Sequence, residues 1–140
     1  MKAIVVRAPA GLDNLEVRNL PDPGQPGPGQ IRVALHATSL NYHDLMVVNG
    51  TIPTEDGRVL MSDGAGIVEA IGEGVTEFKV GDHVVSCFFT QWSDGLPFDA
   101  VGGAHGTPGD GIDGYAAEYA VRPATAFTRA PRGWSHAQAA

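Results

Sequence analysis

Apolar and polar positions alternate along much of this chain in short runs rich in Val, Ile and Ala, separated by Gly and Pro, which is the pattern of an all-β domain. Lys2 to Arg7 reads as a first strand and Leu15 to Leu20 as a second. The run Pro21-Asp22-Pro23-Gly24-Gln25-Pro26-Gly27-Pro28-Gly29 then stops the pattern. It lacks the donors a sheet needs and predicts an exposed loop. Ile31, Val33, Leu35 and Ala37 alternate with Arg32, Ala34, His36 and Thr38, a period of two that predicts a half-buried strand. Further strands are expected from Gly66 to Gly72, with Ile67 and Ile71 on one face, and from His83 to Phe89 after a tight Val80-Gly81-Asp82 turn. Tyr115, Ala117, Tyr119 and Val121 mark one face of a late strand.

Two places depart from this period. Asn41-Tyr42-His43-Asp44 has a capping residue followed three positions later by an acid, and Gly50 can end the helix so begun. Ser135 can cap a second helix over His136 to Ala140; a helix begun here suggests a chain that continues. Thr90 to Asp113 shows no clear period, and a loop of that length tends to serve function. The 140 residues suit one domain, and 19 Gly with 10 Pro imply many turns.

Charge and cysteine content narrow the function. The net charge is -7, with nine Lys and Arg in no basic run, which argues against nucleic acid as a partner. No apolar stretch approaches the ~20 residues of a membrane span, and the opening Met1 to Arg7 is too short for a signal peptide. The single Cys87 excludes an internal disulfide and any Cys-only metal site. A cytoplasmic protein is expected. Cys87 and His83 fall on one strand face but ~13 Å apart, too far to share one ion, so Cys87 is read as a core residue.

Several ordered segments carry a resemblance: Met1-Lys2-Ala3, Ser39 to Leu45, Ser62-Asp63-Gly64-Ala65-Gly66-Ile67-Val68, Val75 to Val85, Gly114 to Tyr119, Ala130-Pro131 and Ala139-Ala140. Together they resemble the medium-chain dehydrogenase/reductase superfamily, over nearly the whole chain. The subgroup most similar is a zinc-independent branch, alcohol dehydrogenase-like or quinone oxidoreductase-like. The resemblance implies a mainly β fold, a GroES-like, partly open β-barrel with one or two short helices, occupying residues 1–140 and ending before a Rossmann domain. It implies hydride transfer with NADP or NAD, bound mainly by that second domain, and a small carbonyl, quinone, enone or alcohol substrate. The alternative is a non-enzymatic GroES-like module of the co-chaperonin type. Substrate identity, the choice of NADPH or NADH and oligomeric state, a homo-oligomer included, stay open.

In zinc-dependent relatives a Cys precedes the helix and a Gly-His-Glu triplet follows; here these positions are Asn41 and Met61, Ser62 and Asp63. Amide and hydroxyl are poor zinc ligands, so no metal is expected. The Gly64-Ala65-Gly66 segment lacks the third glycine and following helix of a dinucleotide fingerprint. Gly64, Gly66, Gly72, Gly74 and Gly81 are instead read as strand bends or positive-φ turns. The expected catalytic residues are Asn41, Tyr42 and Asp44, with Asn41 and Tyr42 also reaching the cofactor. Asn41 and Tyr42 would donate to the substrate oxygen, while Asp44 would orient its neighbours. Asp63, Phe88, Phe89 and Trp92 are expected to line the substrate pocket. His43 is read as a solvated helix histidine and His105 as exposed.

Overall fold

The computed structural model describes residues 1–92 and 106–140. His105 lies outside the described residues. Among these residues eight strands and two short α-helices follow in chain order: β1 (Lys2–Val6), β2 (Leu15–Asn19), β3 (Gln30–Ala37), α1 (Tyr42–Val48), β4 (Arg58–Val59), β5 (Ala65–Ile71), β6 (His83–Ser86), β7 (Tyr119–Pro123), β8 (Phe127–Arg129) and α2 (His136–Ala139). Among the described residues no helix is long and apolar enough to cross a membrane.

The strands form two antiparallel sheets. One has the order β2-β1-β4 and the other β7-β3-β5-β6-β8. The mainly β expectation holds, and both sheets stay open rather than closing into a barrel. Ile31, Val33, Val68, Val84 and Phe127 bury themselves on the five-stranded sheet. Each such side chain contributes about 1.5–3 kcal/mol relative to exposure. A second cluster, with Val5, Val6, Val47, Val59 and Leu60, seats α1 on the three-stranded sheet.

Several predicted details differ. Arg32, expected on the solvent face of β3, is buried. Its guanidinium binds Asp22 at 2.6 Å and Glu69 at 3.0 Å and lies over the Tyr119 ring. Asp22 comes from the Pro/Gly loop, and the Arg32 hydrogen bond, with help from the Gly24 N–H, holds its carboxyl down to about 2. In β5 the core residue is Val68; Ile71 is exposed, and a register shift at Arg32/Val33 breaks the simple alternation. Likewise Tyr115 and Ala117 precede the late strand, whose buried residue is Ala120. The two-residue β4 and three-residue β8 were not foreseen.

Gly74 and Gly81 take positive φ as expected, but Gly64, Gly66 and Gly72 do not. A Cβ on Gly66 would collide with the Ala34 carbonyl of the neighbouring strand, so this glycine serves close strand approach. α2 is capped by Ser135 with Gln138 in a capping box. It rests on the five-stranded sheet, where the His136 ring stacks between His36 and His83, with centroid distances of 4.7 and 4.8 Å.

Candidate active site at the start of the first helix

α1 follows β3, and Asn41, the expected cap, forms a capping box with Asp44. One Asp44 oxygen accepts the Asn41 N–H at 2.8 Å; the other accepts the Ser62 N–H at 2.8 Å. Asp44 is only 2% exposed. It therefore ties the helix start to the loop before β5. Thr38 adds a second tie, donating from its hydroxyl to the Asp63 carbonyl at 2.5 Å.

The Asn41 amide donates to the Asp63 carboxylate and, at 3.4 Å, to the Ser62 hydroxyl. Asp63 also accepts from the Ser39 hydroxyl at 3.5 Å. Asn41, Ser62 and Asp63 thus form one polar cluster, as the aligned positions imply. Met61, in the position where zinc-dependent relatives carry glycine, has φ 76. It is the only non-glycine residue with positive φ among the described residues. The backbone here keeps the left-handed bend that glycine would adopt freely. That bend turns the Ser62 N–H to Asp44 while the Met61 carbonyl accepts the Tyr115 N–H.

Tyr42 is 76% exposed, so its hydroxyl is not consumed by packing. On its side of α1, Leu40, Leu45, Ile4, Leu12 and Leu15 surround an apolar cavity of about 670 Å³ that Asn41 and Asp44 also touch. Phe88, Phe89 and Trp92 stand in successive edge-to-face contact, with centroids 5.0 and 6.2 Å apart. The Phe88 ring meets His43 edge-on at 5.2 Å. His43 is not a solvated helix residue: its side chain is only 18% exposed. A turn over residues 106–113 comes across it and brings the buried Asp110 to 3.8 Å from His43 Nε2. Cys87 is half-buried, and burial pushes its thiol up, away from nucleophilic character.

The donor set does not fit zinc. Asn41 turns its N–H groups, not its carbonyl oxygen, toward Asp63 and Ser62, and one carboxylate with a hydroxyl makes a poor tetrahedral set. Among the described residues no three His, Cys, Asp or Glu side chains are grouped so that they could hold a metal ion. A dinucleotide phosphate has no cradle at the glycine cluster either, since a Cβ on Gly64 would meet the Tyr115 side chain and one on Gly66 the Ala34 backbone.

The alcohol dehydrogenase GroES-like domain family matches residues 27–132. The chain belongs to that family. Over 128 residues this GroES-like domain is 41% identical to a zinc-type alcohol dehydrogenase-like protein of Schizosaccharomyces pombe, covering 90% of the chain and 36% of the relative. It superposes on an NAD-dependent alcohol dehydrogenase with a TM-score of 0.80 and 35% identity, over 97% of the chain and 41% of that structure. A quinone oxidoreductase of Pseudomonas syringae gives a TM-score of 0.72 and 29% identity, over 99% of the chain and 36% of that structure. The GroES-like domain thus spans well under half the length of these relatives.

Proposed function

We propose that this domain is the substrate-binding half of an NAD(P)-dependent oxidoreductase that reduces a small carbonyl, quinone or enone, or oxidises an alcohol, without zinc. The observation that carries this reading is the Asn41–Asp44 helix start. It is locked onto Ser62 and Asp63 in a family member whose zinc-ligand positions hold an amide and a hydroxyl. The nicotinamide cofactor supplies hydride. Without a Lewis acid, the developing charge on the substrate oxygen must be met by hydrogen-bond donors. The Tyr42 hydroxyl, exposed at the helix start, is free to donate. Asn41 contributes through the cluster it holds: its amide keeps the Asp63 carboxylate in place, and Asp44 keeps both loops in register. Phe88, Phe89 and Trp92 form an aromatic wall suited to the apolar part of a substrate.

The experiment is a turnover screen of the complete enzyme with NADPH and NADH against quinones, enones, ketones and alcohols, with elemental analysis after dialysis. Turnover of one of these classes with far less than one zinc per chain is expected. Stoichiometric zinc, or no turnover in any class, would overturn the reading.

A further inference from the structure

The proton needed at the substrate oxygen has no source in the Asn41–Asp63 cluster, whose amide hydrogens are already given away. One residue beyond Tyr42, His43 is held in a different setting. Its Nε2 is buried without a hydrogen-bond partner. The nearest charge it faces is the Asp110 carboxylate, at 3.8 Å. Asp110 is itself only 7% exposed and is fixed by the Thr107 hydroxyl and the Gly111 N–H. Phe88 closes the ring's edge. Around this end of α1 the ionisable groups are Asp44 and Asp63, engaged with Ser62 and Asn41, and Asp110. Asp110 is the acidic group paired with His43, at 3.8 Å.

We propose that His43 is the proton-exchanging residue of this site and that Asp110 is the residue that positions it. The inference rests on the oxidoreductase reading above. Asp110 faces Nε2, which leaves Nδ1 as the nitrogen available to substrate; a second group commonly settles which imidazole nitrogen works. In the reductive direction the carbonyl carbon takes up the hydride of the reduced nicotinamide cofactor and the C=O electron pair moves onto oxygen. That oxygen takes the proton from protonated His43. Neutral His43 is reprotonated from water, and alcohol oxidation runs the same steps in reverse. Phe88, in contact with His43, joins the aromatic wall to the proton donor, so the substrate's apolar part and its oxygen would be held by adjacent residues.

The test uses the complete enzyme. His43→Gln is expected to lower kcat about 10²-fold, as loss of a general acid does, with cofactor binding by fluorescence unchanged. Asp110→Asn should keep more activity than His43→Gln, with its loss falling on kcat rather than KM, because the group that holds the imidazole is changed while the imidazole itself is kept. Diethyl pyrocarbonate labelling read by mass spectrometry gives a readout on the unaltered protein. Saturating substrate should protect His43 and leave the exposed His36 reactive. The proposal fails if wild-type enzyme turns over while His43→Gln stays within threefold of it in kcat, or if substrate gives His43 no protection. A wild-type enzyme inert on every substrate class would instead sink the function reading.

Discussion

The two sheets solve different problems. The five-stranded sheet seals its own core: Ile31, Val33, Val68 and Val84 are fully buried, and Arg32 is enclosed by two carboxylates and an aromatic ring. The three-stranded sheet does not. Its β2 is exposed along its whole length, and Ile4, Leu15 and Val17 face outward beside Leu40, Tyr42 and Leu45. One sheet is a finished scaffold; the other leaves apolar surface next to the helix start that carries the candidate site. The difference suggests where stability and function reside, and mutations can separate them.

The sharpest contrast is between Ile31 and Val17. Ile31→Ala should cost about 2–5 kcal/mol, since it opens a cavity in a closed core. Val17→Ser, at a residue 70% exposed, should change stability by no more than about 0.5 kcal/mol. Urea unfolding monitored by fluorescence checks both. Equal losses at the two sites would mean that the three-stranded sheet is as closed as its neighbour.

Next comes the seam between scaffold and site. Asp44→Ala strands the Asn41 and Ser62 N–H groups, and a buried donor left without a partner costs about 1–3 kcal/mol. Hydrogen exchange should show faster exchange at Ser62 while Val33 and Val68 stay protected. Unchanged exchange at Ser62, or lost protection at all three, would contradict a local tie.

How much of this was legible in the sequence depends on how far each interaction reaches along the chain. The capping pattern of Asn41 and Asp44 is local, and it correctly marks where α1 begins. The second partner of Asp44, the Ser62 N–H, lies 18 residues on and leaves no local signature. Arg32 looked solvent-facing because the period of two sees only β3; Asp22, Glu69 and Tyr119 bury it from three other segments. His43 looks solvated for the same reason, since Asp110 reaches it from 67 positions further along the chain. β4 and β8 are too short for any period to register. Met61 did leave a signal: a residue standing where relatives need glycine marks a backbone held in an unfavourable conformation.

The smallest stability effect is expected on the outer face of the five-stranded sheet. Burial first, then the neighbouring His36 and His83, lower the proton affinity of His136 below its ordinary value of 6.5. The unfolded chain therefore binds more protons as pH falls through about 6.5, so stability is full above that window and declines below it. Thermal melts between pH 7.5 and 5 should show a larger acid loss in wild type than in His136→Gln. Parallel curves would mean the stacked rings carry no pH-dependent load.

The central claim, that the start of α1 is an active site rather than a structural cap, is tested most directly at Tyr42. With its side chain in solvent, Tyr42→Phe removes one hydroxyl and should leave the melting temperature of the complete enzyme unchanged. The account predicts a fall in kcat/KM of about 10² or more, the usual cost of losing an oxyanion donor. Turnover within twofold of wild type at the same melting temperature would contradict it.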